Sequence, residues 1–175
     1  MKHITRIESV RKDDYYATPV EATDSLLGVE SFNGSIWEPC CGEGHISKRL
    51  IEQGFDVEST DLVDRGFGES NVDCLMERKV RQNIITNPPF KLATQIARHF
   101  QYLASDKIAL LLKLTFLEGK ERQGLFLDFP PARVWVFSKR VSLMKNGESY
   151  TGGMMALAWF VWEKGLKQEP RIGWI

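Results

Sequence analysis

The chain has 175 residues, of which 43% are hydrophobic and 26% charged, and this length and composition are those of one ordinary globular domain. Its 23 Lys and Arg residues balance 23 Asp and Glu residues, and the resulting net charge of zero argues against strong, unaided binding to nucleic acid. The three cysteines form no CxxC pair, which argues against a structural zinc site and fits a reduced, cytoplasmic setting. The N-terminus has no apolar signal segment, and the longest apolar run is too short to cross a bilayer, so no membrane contact is expected.

The predicted elements alternate between strands and helices along most of the chain. After an arm at 1–14, Thr18 and Pro19 followed by Glu21 predict a helix with a capping box, and apolar residues at helical spacing predict two further helices, after 45 and over 92–103. A loop with a short helix is predicted over 116–129. The predicted strands are, in chain order, 35–38, 56–60, 71–75, 83–86, 107–114, 133–137 and 154–162.

This order of elements predicts an α/β fold. Alternation of strand and helix over the first two thirds favours a doubly wound, mostly parallel sheet with helices on both faces. The last two predicted strands have no helix between them, only a turn signal at Asn146-Gly147, so we expect a C-terminal antiparallel strand. The whole chain, 1–175, is then a single domain, and Trp159 and Trp162 are expected in its core.

Three polar residues stand at the ends of strands that are predicted to belong to the parallel part of the sheet. Glu38, Asp61 and Asn87 each stand at a strand's carboxyl end, where the ligands of such folds bind. We therefore expect the three side chains to converge on one crevice.

The first of these strands runs into a turn with Gly42 and Gly44 and then a helix. Small residues at such a turn let a nucleoside-containing cofactor approach the backbone, and an acid about twenty residues later, here Asp61, can accept hydrogen bonds from ribose hydroxyls. A tight turn without a ligand and an ordinary strand-end acid fit the same pattern. Asp73 ends a further predicted strand and is interpreted as a solvated loop acid.

Asn87-Pro88-Pro89-Phe90 is the most specific pattern in the chain. The Asn side chain offers an amide oxygen, and the two prolines remove backbone donors and fix the turn, so that main-chain carbonyls face outward as acceptors. Phe90 adds a flat face for stacking. Two acceptors beside an aromatic ring suit a nucleobase that carries an exocyclic amino group.

Together these segments resemble the S-adenosylmethionine-dependent methyltransferases that modify adenine N6, of the small phage or prophage type. The matching segments are 14–19 (N-terminal cofactor segment), 38–44 (glycine-rich motif), Asp61 (ribose acid), 87–90 (catalytic motif), and the less specific 116–122 and 158–162. Their order resembles the gamma arrangement. The resemblance implies a Rossmann-like class I methyltransferase domain.

It also implies a set of site residues and a cofactor. The cofactor is S-adenosyl-L-methionine, and no metal is needed because the methyl group is already activated. The implied catalytic residues are Asn87, Pro88, Pro89 and Phe90. The implied cofactor-binding residues are Tyr16, Thr18, Pro19, Glu38, Pro39, Cys40, Gly42, Gly44, Asp61, Leu62 and Asn87. The implied substrate-binding residues are Phe90, Lys120 and Arg122.

The implied reaction methylates adenine N6 in DNA, on a base that is flipped out or already single-stranded. The chain has little room for target recognition beyond 116–132 and 138–153, so a partner subunit or a second copy is expected to help select the target. Two alternatives stay open: methylation of RNA bases or protein glutamine, and a non-catalytic nucleotide-binding subunit. A nicotinamide dehydrogenase is disfavoured by Pro39 and by Ser47 in the third glycine position.

Overall fold

A computed structural model describes residues 15–145, 148–149 and 155–175. The predicted arm at 1–14 and the turn at Asn146-Gly147 lie outside the described residues. Among the described residues, no helix combines the length and the apolar character that a membrane span requires.

A seven-stranded sheet forms the centre of the fold, with the strand order β2-β1-β3-β4-β8-β5-β9. The strands are β1 (Ile36–Glu38), β2 (Val57–Ser59), β3 (Arg81–Thr86), β4 (Ala104–Lys113), β5 (Arg133–Val136), β8 (Leu157–Glu163) and β9 (Arg171–Trp174). A separate two-stranded ribbon consists of β6 (Met144–Lys145) and β7 (Glu148–Ser149). The first four strands of the large sheet are parallel to one another, and β8 runs antiparallel between β4 and β5.

In the described part of the chain, four α-helices cover the two faces of this sheet. They are α1 (Val20–Val29), α2 (His45–Glu52), α3 (Ala93–Phe100) and α4 (Lys120–Asp128), and single 3₁₀ turns occupy Phe90–Leu92 and Leu114–Leu117. Leu26 and Leu50 of the first two helices pack into one apolar cluster, and Phe100 and Leu125 of the last two pack into another. The sheet is therefore doubly wound, as predicted.

The central strands explain why this arrangement is stable. Six consecutive residues of β4 and six of β8 are buried, because helices cover both faces of the sheet there. Trp159 and Trp162 are both almost fully buried, which confirms that they are core residues. The α/β class, the mostly parallel sheet and the C-terminal antiparallel strand are all confirmed.

Two local predictions are wrong, and one strand was not predicted. Residues 71–75 form turns rather than a strand, because Asp73 accepts a hydrogen bond from the backbone N–H of Leu75 (3.0 Å) and closes a local turn. Strand β9 was not predicted, since it is short and has exposed residues on both faces. Thr18 does not cap α1: the helix begins after Pro19 without a side-chain cap, and the Thr18 hydroxyl accepts a hydrogen bond from Asn87 instead.

A buried ionic cluster joins α1 to strands β4, β5 and β8 at the edge opposite to the strand ends that carry Glu38 and Asn87. The Glu30 carboxylate accepts hydrogen bonds from both sides of the Arg133 guanidinium, from the Trp135 indole (2.8 Å) and from Lys107 Nζ (3.3 Å). Arg133 also pairs with Glu163. Burial alone would raise the pKa of Glu30, but the hydrogen bonds from Arg133 and Trp135 outweigh it and hold the pKa below its usual range.

We expect Glu30→Gln to lower the free energy of unfolding by about 1–3 kcal/mol, because an NH₂ group then faces buried donors. The exposed Glu52, which pairs with Arg49, is the matched control, and Glu52→Gln should cost at most about 1 kcal/mol. Because the Glu30 pKa is lowered on folding, its contribution is present above the unfolded pKa of about 4.5 and is lost as the pH falls. Urea denaturation between pH 3 and pH 7 measures both effects; equal losses in the two variants would contradict the prediction.

Candidate functional site

A cavity of about 600 Å³, open to solvent, lies at the carboxyl ends of β1, β2 and β3. Its polar walls include Asp61, Asp73 and Asn87, and its apolar walls include Leu62 and Ile96. A smaller cavity of about 230 Å³ shares part of its lining with the first and reaches the Glu38 side chain; the shared lining residues are Tyr15, Tyr16, Cys40 and Asn87. The three polar residues predicted to converge therefore do so.

The turn after β1 forms one wall of this site, and two of its glycines have left-handed backbone. Gly42 has φ +56° and Gly44 has φ +81°. A Cβ atom at Gly42 would lie 2.4 Å from the Tyr15 ring, and one at Gly44 would lie 2.4 Å from the Phe67 ring. Both positions thus require glycine for conformation and for space.

We expect Gly44→Ala to lower the free energy of unfolding by about 1–2 kcal/mol through backbone strain alone, with a further loss because the Phe67 ring must move. Gly54 is the matched control: its φ is +89°, but nothing lies within 4 Å of an added Cβ. Thermal denaturation should rank wild type above Gly54→Ala and Gly54→Ala above Gly44→Ala. The two variants having the same midpoint would show that the Phe67 contact is unimportant.

Glu38 is 2% exposed and ends β1 beneath this turn. Its carboxylate accepts hydrogen bonds from the backbone N–H of Ser47 (2.8 Å) and from the Ser47 hydroxyl, which also contacts Ser59 Oγ (2.6 Å). Burial raises the pKa of Glu38 to about 8, and the nearby negative charge of Asp61 also raises it. The hydrogen bonds from Ser47 lower the pKa but do not outweigh burial. Near neutral pH this carboxyl can therefore exist in either protonation state.

Asp61 lies directly beyond β2 and connects two loops of the site. Its two oxygens accept hydrogen bonds from the backbone N–H groups of Gly42 and Val63, each at 2.8 Å. Burial raises the pKa of Asp61, although these hydrogen bonds oppose the shift. Each carboxylate oxygen has a second lone pair, so Asp61 can also accept from hydroxyl groups in the cavity.

Asn87 is held in one orientation by the N-terminal segment. Its Nδ2 donates to the backbone carbonyl of Tyr16 and to Thr18 Oγ1, both at 3.0 Å. A carbonyl can only accept, so the amide nitrogen must face Tyr16. The Asn87 amide oxygen is consequently the atom left to accept a hydrogen bond from a molecule in the site.

Phe90 follows at the start of a 3₁₀ turn and contacts both an aromatic ring and a cation. The Tyr16 and Phe90 rings are stacked, with centroids 5.8 Å apart and an interplanar angle of 25°. Lys113 Nζ lies 5.0 Å from the Phe90 centroid. Pro88 is buried, and Pro89 lines the large cavity beside Asn87.

The other predicted site residues are distributed as follows. Tyr16, Pro39, Cys40 and Leu62 line the large cavity, and Thr18 lines the smaller one. Pro19 faces a different depression, next to Phe137 and Ile175. Arg122 shares a third cavity with Phe90, but its guanidinium is bonded to the carbonyls of Phe116 and Glu118 and to Glu121; Lys120 is exposed at the start of α4.

Sequence reasoning gave no site role to seven residues that line the large cavity: Tyr15, Arg65, Val72, Asp73, Cys74, Leu92 and Ile96. Tyr15 packs over Gly42, with Arg65 4.1 Å above its ring, and Asp73 and Cys74 form part of the wall. Asp73 is 8% exposed, so its interpretation as a solvated loop acid is wrong. Its position after two other strand-end acids was the available signal, but the irregular segment around it gave no periodicity.

The cysteines at the cavity are poor nucleophiles. A hydrogen bond with Cys74, together with burial, raises the pKa of the Cys40 thiol well above its usual range, and burial raises the pKa of Cys41 to about 12. Since the thiolate is the reactive form, both are interpreted as small residues that shape the turn.

Comparison with known proteins identifies the fold. No protein-family model and no curated protein sequence matches the chain. Among solved structures, a proposed RNA methyltransferase from Pyrococcus horikoshii aligns with a TM-score of 0.63 at 12% identity, covering 86% of this chain and 87% of that one. A modification subunit of a proposed type I restriction enzyme from Vibrio vulnificus YJ016 also gives 0.63, at 11% identity, covering 99% of this chain but only 50% of that one.

A third structure extends the comparison to a bound ligand. Magnesium protoporphyrin IX methyltransferase from Synechocystis PCC 6803, solved with bound S-adenosylmethionine, aligns with a TM-score of 0.58 at 15% identity, covering 83% of this chain and 79% of that one. These three proteins share an architecture, although they are described as three different kinds of protein. The chain has the Rossmann-like fold of class I methyltransferases.

Proposed function

We propose that the protein transfers a methyl group from S-adenosylmethionine to the N6 amino group of adenine in DNA. The observation that carries this proposal is the orientation of Asn87, whose amide oxygen is left as an acceptor at the cavity while its nitrogen is bound by Tyr16 and Thr18. An acceptor fixed in this way, followed by two prolines and an aromatic ring, suits an exocyclic amino group.

The lining of the cavity fits the cofactor in its chemistry. Asp61 can accept hydrogen bonds from ribose hydroxyls, and Leu62 and Ile96 offer apolar walls for a base. The Glu38 carboxyl would lose its proton beside a positively charged group of the cofactor and then pair with that charge. Gly42 and Gly44 keep the backbone of the turn free of side chains. When bound, S-adenosylmethionine supplies an activated methyl group on a sulfonium.

Asn87 and Pro88 would hold the substrate amino group. The lone pair of an adenine amino group is delocalised into the ring, so the nitrogen is a weak nucleophile. Two acceptors, Asn87 Oδ1 and the Pro88 carbonyl, can bind its two N–H groups and favour a more tetrahedral nitrogen. The two acceptor oxygens also stabilise the positive charge that develops on that nitrogen. Because this stabilisation is stronger in the transition state than in the ground state, it raises the rate.

Phe90 would stack on the target base. Base–aromatic stacking contributes roughly 1–3 kcal/mol per base, and it requires a base that is flipped out or single-stranded. In the absence of substrate, the Tyr16 ring and Lys113 Nζ both lie against the Phe90 ring, so a base that stacks on a face occupied by either of them must displace that group.

The function is tested with a labelled methyl donor and four substrates: single-stranded DNA, duplex DNA, RNA of the same sequence, and a glutamine-containing protein. We expect label in DNA, recovered as N6-methyladenine after digestion to nucleosides. Label found only in RNA or only in protein would show that this molecule, rather than DNA, is the substrate. Binding of the donor without transfer to any acceptor would favour a non-catalytic subunit. An oligonucleotide with adenine replaced by purine, which lacks the amino group, is the matched control.

Target selection is a separate requirement of this function. We infer that a partner subunit or a second copy contributes to it, which is consistent with a net charge of zero. Activity per chain should then rise with protein concentration or on addition of a cell extract from the source; constant specific activity would contradict the inference.

A further inference from the structure

The third cavity, which Phe90 shares with Arg122, has no lining residue in common with the large cavity at Asn87 and Asp61. It is open to solvent, with about 310 Å³ of empty space, and its walls include Phe90, Ala93, Leu112, Lys113 and Phe116. Lys113 is the last residue of β4, the neighbour of β3, and β3 leads into Asn87. The cavity thus stands at the same sheet edge as the candidate catalytic residues.

Lys113 is the notable group in this cavity, because its charge is not neutralised. Across residues 15–145, 148–149 and 155–175, no Asp or Glu forms an ion pair with it, and its ammonium instead lies 5.0 Å from the Phe90 centroid. Arg122, the other cation of the cavity, is held by three carbonyls and Glu121. Arg122 is therefore a structural residue of the loop, whereas Lys113 is available to bind an anion.

We propose that this cavity receives the sugar and phosphate of the nucleotide whose base is stacked on Phe90, and that Lys113 Nζ binds the phosphate. The apolar walls suit the sugar, and the flexible stem of Lys lets the ammonium move from the ring to the phosphate when a base takes its place. This inference rests on the proposed function and deepens it: Lys113 is a positioning residue that makes a nucleotide, rather than a protein glutamine, the preferred substrate.

The test is salt-dependent binding of a fluorescent single-stranded DNA oligonucleotide by Lys113→Ala, Lys113→Arg and Lys164→Ala. Loss of one phosphate contact should reduce the slope of log K against log salt by about 0.7 and raise KM about tenfold in Lys113→Ala. The value of kcat and the affinity for S-adenosylmethionine should change less than about threefold. Lys113→Arg should keep the wild-type slope.

Lys164 provides a matched control, because its Nζ lies 5.7 Å from the Phe129 ring at the opposite edge of the sheet. Lys164→Ala removes the same kind of cation–π contact and should leave binding and KM unchanged. A fall in cofactor affinity or in the thermal midpoint for Lys113→Ala, with an unchanged salt slope, would show a merely structural role and overturn the inference.

Oligonucleotides with one uncharged methylphosphonate linkage locate the contact. In the wild type, one linkage beside the target adenine should weaken binding about tenfold, and Lys113→Ala should be insensitive at that linkage alone. The same series in RNA tells whether the contact depends on the sugar. Equal sensitivity of both proteins at every linkage overturns the role of Lys113 while the proposed function stands; absence of transfer to any nucleic acid overturns the function itself.

Discussion

Replacing Asn87 by Ala should lower kcat for methyl transfer by about 10²–10³-fold, the usual effect of removing one preorganised hydrogen-bonding group from the transition state. The loss should exceed the change in KM, because the amide oxygen interacts most strongly with the charge that develops on the attacked nitrogen. Single-turnover transfer of labelled methyl groups to DNA, with enzyme in excess, measures the chemical step directly. Cofactor affinity, measured by calorimetry, should change less.

Two further variants separate the amide oxygen from the amide nitrogen. Thr18→Val removes one of the two acceptors that orient Asn87 but keeps its oxygen, so we expect a loss of only about tenfold. Asn87→Asp keeps an acceptor but turns a second oxygen toward the carbonyl of Tyr16, so it should be nearly as inactive as Asn87→Ala. Transfer by Asn87→Ala at more than a tenth of the wild-type rate would contradict the proposed role.

Much of this site could be predicted because it depends on chain-local patterns. A strand that ends in Glu38, a turn with Gly42 and Gly44, and the Asn87–Phe90 segment are each read from a few neighbouring residues. Their convergence follows from the parallel sheet, because parallel strands bring their carboxyl ends to the same edge. The helices and the antiparallel strand β8 could also be predicted from the sequence, because their apolar patterns are long and regular.

The errors concern residues whose role depends on distant contacts. Thr18 stands in a sequence that is typical of a helix cap, but its hydroxyl accepts a hydrogen bond from Asn87, which is 69 residues away in the chain. Tyr15 packs on Gly42 and Asp73 is buried in the cavity wall, although neither contact leaves a periodic signal in its own segment. Strand β9 pairs with β5 at the edge of the sheet, a long-range contact that its own short, exposed segment does not reveal.

Glu38 should make the stability of the ligand-free protein fall as the pH rises. Its pKa is about 8 when folded and near 4.5 when unfolded, so between these values the folded state binds more protons and the free energy of unfolding decreases by up to about 1.4 kcal/mol per pH unit. Above about pH 8 both states are ionised and the decrease stops. Glu38→Gln removes this dependence and should be more stable than the wild type at pH 8, as measured by urea denaturation at pH 5, 6.5 and 8.

Binding of S-adenosylmethionine should depend on pH in the opposite direction. A cationic ligand beside Glu38 favours the carboxylate, so binding near pH 7 releases a proton and the affinity rises by up to about tenfold per pH unit until about pH 8. Calorimetry in phosphate and Tris buffers at pH 7 should give binding enthalpies that differ by the number of protons released multiplied by the difference between the two buffers' ionisation enthalpies. In Glu38→Gln, this difference should vanish and the affinity at pH 8 should fall. A variant that gains stability but loses affinity would show that the buried carboxyl is kept for the ligand; loss of both would show that Glu38 serves the fold.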